Sequence, residues 1–192
     1  MKKFIALFAA VLVLAALAPK PSDITRSMVQ ITYGDRQFCT GFVVSASRGV
    51  AVTADHCIPA PGGEIFVDGK PSEVLKVARG IALVSVETMT KPSLSIRMTK
   101  PELGTPVTGY GYGYGDLMVI RRNVSGFKAF GLDLRGANIV AVDGPFVDGM
   151  SGGPLVDDDG RVVGVIQASD HRSFAVGISS SGLDIVDLLR GK

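Results

Sequence analysis

Val147-Asp148-Gly149-Met150-Ser151-Gly152-Gly153-Pro154 is the stretch on which the reading of this chain turns. A serine stands among glycines with a proline behind it. Leu155-Val156, an acidic turn from Asp157 to Gly160, and Val162 to Ile166 follow, so the stretch reads as a loop feeding a hairpin. Such a loop can present a hydroxyl outward, because glycine permits φ > 0 and leaves backbone N–H groups open to hold a developing oxyanion. Glycine and serine also favour turns for purely local reasons, and a Gly-rich connection with an incidental serine is the competing reading. His56 tips the balance. It is one of two histidines and ends the apolar run Gly49 to Ala54. An imidazole titrates near neutrality, so a histidine held there can take a proton from a serine hydroxyl and later return it.

Working outward, the 192 residues suffice for one domain or two small lobes, each with a core of its own. A net charge of +2, with no Lys/Arg cluster longer than two residues, excludes a nucleic-acid partner from the reading. Lys2-Lys3 followed by the apolar run Phe4 to Ala18 fits a secretory signal and falls short of the ~20 residues of a spanning helix. The expectation is therefore an exported protein, secreted or periplasmic, with residues 1–18 as signal peptide or N-terminal anchor. Any membrane contact would run through that segment if it stays uncleaved. Small residues at Ala16-Leu17-Ala18 suit a signal peptidase, but Pro19 hinders a cut there, and cleavage after Ala15 is the alternative. In an oxidising compartment the two cysteines, Cys39 and Cys57, become a candidate disulfide; two buried free thiols are the alternative. No CxxC or HxxxH spacing offers a metal site, and no cofactor is implied.

Glycine is abundant (24 residues), tryptophan is absent, and short Val/Ile-rich runs alternate with turn residues, a pattern for an all-β sandwich or barrel. Pro19 to Ser27 reads as a linker. Strands are expected at Met28–Tyr33, Phe38–Val44, Gly49–Ala54, Glu64–Val67 before a turn at Asp68-Gly69, Val74–Val77 and Ile81–Val86. After a polar crossing linker from Glu87 to Lys100, a second set is expected at Leu103–Tyr110, Met118–Arg121, Asn123–Phe127, Ile139–Val142, Leu155–Val156, Val162–Ala168 and Phe174–Ile178. The Gly-Tyr alternation from Gly109 to Gly115 reads as a strand leaving for a flexible loop. Two halves of about six strands each, residues 24–90 and 101–192, suggest two small barrels. Ser181 to Leu189 reads as a short C-terminal helix with Ser181 as N-cap and Asp184 completing an approximate capping box.

Three segments together, Phe38-Cys39-Thr40-Gly41-Phe42, Val52-Thr53-Ala54-Asp55-His56-Cys57 and Gly149-Met150-Ser151-Gly152-Gly153-Pro154, resemble in order and separation the landmarks of the chymotrypsin-like serine peptidases. The resemblance runs from about Met28 to the C-terminal helix. It implies an all-β fold of two six-stranded antiparallel β-barrels with a short closing helix. It also implies a trypsin-like serine endopeptidase acting on polypeptide substrates, with Ser151 as nucleophile and His56 as its general base. The N–H groups of Gly149 and Ser151 would form the oxyanion hole, and a Cys39–Cys57 bridge would support the histidine loop.

Two positions depart from that pattern. The family's orienting aspartate precedes an Ile-Ala-Leu-type strand, and Gly80 holds that place in Arg79-Gly80-Ile81-Ala82-Leu83. Asp55 is a candidate substitute, although neighbours on an extended chain point to opposite sides; Asp68 and Glu73 lie on nearby loops. A Ser–His dyad, a relocated acid and a catalytically impaired pseudo-peptidase serving as a peptide-binding or interaction module all stay open. The second departure is Met150, where many digestive members carry an aspartate that pairs with a new N-terminus after zymogen cleavage. No Ile-Val-Gly-Gly-like N-terminus exists here, which is similar to the HtrA-type and other bacterial trypsin-like domains and implies a catalytic loop that forms without a cleavage-driven switch. The resemblance draws the specificity pocket from Gly144-Pro145-Phe146-Val147 and Gln167-Ala168-Ser169, with Asp170 and His171 close by. The expected preference is for a small or apolar P1 side chain.

Overall fold

The structure, a computed structural model, describes residues 21–33, 37–59, 63–127, 138–169 and 177–191. The first half holds β1 (Met28–Tyr33), β2 (Gln37–Ser45), β3 (Val50–Ala54), a 3₁₀ turn (Asp55–Cys57), β4 (Ile65–Val67), β5 (Lys70–Ser72), β6 (Val74–Ala78) and β7 (Ile81–Ser85). The strands pair antiparallel in the order β5-β4-β1-β2-β3-β7-β6. Glu73 alone separates β5 from β6, so the two ends of this order are halves of one bent strand. The seven strands therefore curl into the six-membered ring that the sequence suggested.

The second half is a closed six-stranded barrel, β10-β13-β12-β11-β8-β9. Its strands are β8 (Pro106–Gly113), β9 (Asp116–Gly126), β10 (Ile139–Val142), β11 (Pro154–Asp157), β12 (Val162–Ser169) and β13 (Gly177–Ser181). The two stretches expected as separate strands across Arg121 to Asn123 are one strand, because β9 alternates exposed and half-buried residues without a break along its hairpin with β8. The Gly-Tyr alternation is strand as far as Gly113, and the chain reverses through Tyr114 and Gly115, both with positive φ, as a two-residue type I′ hairpin turn requires. Asp68-Gly69 and Arg79-Gly80 are built the same way, each with positive φ at both residues and flanking partners Val67↔Lys70 and Ala78↔Ile81. The beginning of the strand expected at Phe174–Ile178 lies outside the described residues; β13 starts at Gly177.

Three apolar clusters explain why the strands read as they do. Val29, Ile31, Val43, Ala51 and Val84 fill the first barrel, and Val107, Val124, Phe146, Met150 and Ile166 fill the second. A third cluster, with Met28, Phe42, Val50, Val52, Leu83, Val156 and Val165, lies between them. β3 alternates between the inter-barrel layer (Val50, Val52) and the barrel interior (Ala51). Both of its faces are buried, and its sequence is apolar throughout. At roughly 1.5–3 kcal/mol per buried large side chain, this shared layer binds the halves firmly.

The expected linker before β1 is instead a short helix, α1 (Pro21–Arg26), which sends Ile24 into the inter-barrel cluster; proline suits a first helical turn because its missing N–H is not needed there. The crossing segment is stitched to both halves, with Leu94 N–H donating to Val43 O and the backbones of Ser95 and Arg97 bonded to Val162. The closing helix, α2 (Gly182–Leu189), is capped by Ser181 Oγ, which accepts from Leu183 N–H. Asp184 does not complete a capping box. Its carboxylate accepts instead from the Asn138 backbone N–H and side-chain amide and from Arg79.

Candidate active site

His56 sits in the tight turn that ends β3. Ile58 N–H closes the turn on Asp55 O, and the Cys39–Cys57 disulfide, with 6.0 Å between Cα atoms, ties it to β2. Tyr33 Oη donates a long 3.4 Å bond to His56 O. The turn therefore fixes the histidine backbone on three sides while its side chain reaches solvent.

The serine loop is held as tightly. Met150 N–H donates to Val147 O, Gly153 N–H to Met150 O, and Gly152 N–H to Ile166 O. Tyr114 N–H donates to Asp148 O. A trans peptide points its C=O and N–H in opposite directions. With the carbonyls of Asp148 and Met150 accepting from the N–H groups of Tyr114 and Gly153, the N–H groups of Gly149 and Ser151 face away from those partners, and neither donates to an acceptor among the described residues. The Ser151 hydroxyl donates to Gln167 O at 3.0 Å, and it makes no hydrogen bond to His56 among the described residues.

Thr40 joins the two halves of the site, a role with no signal in the sequence beyond its place in a landmark. Its N–H donates to Ser151 O at 2.8 Å, and its hydroxyl donates to Gly149 O while accepting from Tyr112 N–H. Its carbonyl accepts from Thr53 Oγ1. Both threonines are fully buried, and each hydroxyl is hydrogen-bonded. Ser151 O also lies 3.7 Å from Cys57 Sγ, which places the serine loop directly against the histidine turn. Gly152 completes the join. It has φ +85°, and a Cβ there would overlap Thr40 O and Thr53 Oγ1.

The chain matches the trypsin-like peptidase domain over residues 39–165. It belongs to that family. The Rv3671c protease of M. tuberculosis, as a serine-to-alanine variant in an inactive form, superposes with a TM-score of 0.75 at 22% identity, covering 92% of each chain. A serine endoprotease from Yersinia pestis gives a TM-score of 0.73 at 20% identity, covering 88% of this chain and 64% of that one. The HtrA-type protease AlgW with a tripeptide gives 0.74 at 17% identity over 88% of this chain and 61% of that one. At such identities these likenesses establish the fold. The protein y4bJ of Sinorhizobium fredii (strain NBRC 101917 / NGR234) is 29% identical over 160 residues, which are 77% of this chain and 25% of that protein. The chain thus spans about a quarter of the length of that curated relative.

Within this trypsin-like peptidase domain, Gly80 is the second residue of the β6–β7 turn, with φ +76°. Its carbonyl accepts two bonds, from Asp55 N–H at 3.0 Å and from Gln167 Nε2 at 2.6 Å. Asp55 Oδ1 lies 3.9 Å from His56 Nδ1, close enough for attraction and too far for a hydrogen bond. The 3₁₀ turn brings them near each other; the alternation of an extended strand does not apply there. Desolvation by packing holds the His56 pKa below its ordinary value, and the Asp55 charge opposes that shift. Asp68 is engaged elsewhere, accepting from Gln30 N–H and pairing with Lys91, and the Glu73 backbone bonds Ser85.

Of the expected pocket walls, Phe146 is buried in the second barrel against Gly109. The buried Gln167 side chain is turned to Gly80. Asp170 and His171 lie outside the described residues. Met150 fills the second barrel and packs on Gly111. Cys39, His56 and Cys57 place ligand atoms within 4.8 Å of one another, but both sulfurs are committed to the disulfide, which leaves one free ligand atom in that group.

Proposed function

We propose that this chain is an exported serine endopeptidase that cleaves peptide bonds through an acyl-enzyme on Ser151, with His56 as general base. The observation that carries the reading is the serine loop itself: the N–H groups of Gly149 and Ser151 take no acceptor among the described residues, and Thr40 clamps the loop against the histidine turn. In the reaction Ser151 Oγ leaves Gln167 O, gives its proton to His56 Nε2 and bonds the substrate carbonyl carbon. The carbonyl oxygen becomes an oxyanion facing the two N–H groups. His56 then passes the proton to the leaving amine, the C–N bond breaks, and a water repeats the sequence on the ester.

Met150 supports a loop that needs no zymogen cleavage, because an apolar side chain packed in the barrel takes the place of a charge awaiting a new N-terminus. Residues 1–18 act as export signal or N-terminal anchor, and Gly80 stands where the family places its aspartate. The P1 preference is for small or apolar side chains.

A second reading, a pseudo-peptidase that binds peptides, is favoured by one observation: the Ser151 hydroxyl is bonded to Gln167 O instead of His56. Fluorophosphonate labelling of the full chain separates the two. Labelling that disappears in Ser151→Ala is the expected result; a parent chain that stays unlabelled over hours at neutral pH overturns the enzyme and leaves the binding module.

A further inference from the structure

The peptidase reading leaves His56 without its family partner, and the buried contacts around Gly80 bear on what replaces it. Gln167 lies on β12 and is 1% exposed, deeper than a polar side chain goes without a structural reason. Its Nε2 donates to Gly80 O at 2.6 Å, across from the second barrel to the turn where the family's acid would stand. The same carbonyl receives Asp55 N–H, so Gln167 and the residue immediately before His56 share one acceptor. Its own main-chain carbonyl takes the Ser151 hydroxyl. Gln167 thus holds the Ser151 hydroxyl directly and shares the Gly80 carbonyl with the residue before His56.

We propose that Gln167 is the positioning residue for His56, its carboxamide oxygen accepting the Nδ1–H of the imidazole in place of the family's carboxylate. The inference rests on the peptidase reading for its catalytic meaning, but the contact itself can be observed without turnover.

The argument is one of amide polarity. An amide in the acid's place costs serine peptidases on the order of 10⁴-fold, because its NH₂ group can face the imidazole and stabilise the wrong tautomer. Here that error is blocked. Gly80 O is an acceptor only, so the amide must present NH₂ to it, and the group left on the other side is the carbonyl. The His56 ring reaches solvent, so it is free to turn inward onto the amide oxygen. A neutral acceptor stabilises imidazolium less than a carboxylate does, so the site trades rate for a fixed tautomer.

The experiment is ¹⁵N NMR of the histidine rings in the full chain, beside fluorophosphonate labelling rates as a function of pH. In the parent at neutral pH, His56 is expected as the Nδ1–H tautomer, the less favoured one for free imidazole. Gln167→Leu is expected to return it to Nε2–H and to slow labelling by roughly 100-fold, while Asp55→Asn keeps the Nδ1–H form. Gln167→Glu places an anion beside the ring and is expected to raise the His56 pKa, with the acid limb of labelling moving up in step. A parent His56 in the Nε2–H form overturns the proposal, as does a His56 titration unmoved in a folded Gln167→Glu. Should the parent fail to label while the tautomer responds to Gln167, the contact stands and the peptidase reading falls.

Discussion

The Ser151 loop and the Arg79-Gly80 turn lie on opposite barrels, meet at Gln167, and carry the family's pattern in unlike ways. The loop's bonds are almost all backbone to backbone, and its glycines stand where any side chain would collide with Thr40, Tyr110 or Tyr112. Its glycines are therefore constrained by shape alone. The turn needs only a positive φ at Arg79 and Gly80 and a carbonyl facing the seam. Such a turn asks for residues that tolerate the left-handed region and for no particular side-chain chemistry, and a neighbour can supply that chemistry. Geometry that depends on the absence of atoms resists change, whereas chemistry supplied by one side chain can be handed to another strand.

The comparison breaks most visibly at Gly152. Gly152→Ala drives a methyl into Thr40 O, Thr53 Oγ1 and the Ala54 N–H, all backbone or hydrogen-bonded, at φ +85°. A cost of about 3 kcal/mol is expected, lowering Tm by roughly 6–12 °C for a chain of this size, with labelling lost. Calorimetry that finds less than about 1 kcal/mol would mean the seam can open, and the loop would not be the rigid member of the pair.

The turn should respond more mildly. Gly80→Asp installs the acid that the proposed function finds missing at this turn, but puts a side chain into the left-handed region, at about 1–2 kcal/mol. If Gln167 has taken over the acid's work, labelling does not rise. A gain of tenfold or more in this variant would show the place to be vacant.

The contrast also explains what was legible in the sequence. The loop, His56, the disulfide and most strands could be read because each is a local pattern: glycines around a serine, an apolar run ending in a histidine, alternation between turns. The inter-barrel layer accounts for the apolar β3, yet which strands share that layer is a long-range fact. Thr40 and Gln167 escaped for the same reason. Each is an ordinary polar residue whose partners lie far along the chain, Gly149 for the one and Gly80 for the other. The misreading of α1 as a linker has a local cause, since six residues beginning at a proline give too little periodicity to register as a helix. Asp184 was misassigned because spacing suggested a capping box, while tertiary donors at Asn138 and Arg79 outcompeted the helix's own N-terminus.

The smallest expected effect sharpens the comparison furthest, because it tests the rival of Gln167. Asp55 lies 3.9 Å from Nδ1 with both side chains reaching solvent, so it acts on His56 through a screened charge. Packing lowers the His56 pKa and Asp55 raises it; in Asp55→Asn the opposing influence is gone, and the pKa falls further. The base works in its neutral form. The acid limb of the labelling profile should therefore move to lower pH, with the plateau at neutral pH unchanged. At 1 M salt the parent should approach the variant, since screening removes the same interaction. A plateau that collapses in Asp55→Asn would reverse the assignment: the carboxylate on the histidine's own turn would then be the group that orients it, and Gln167 would be a strut between the barrels.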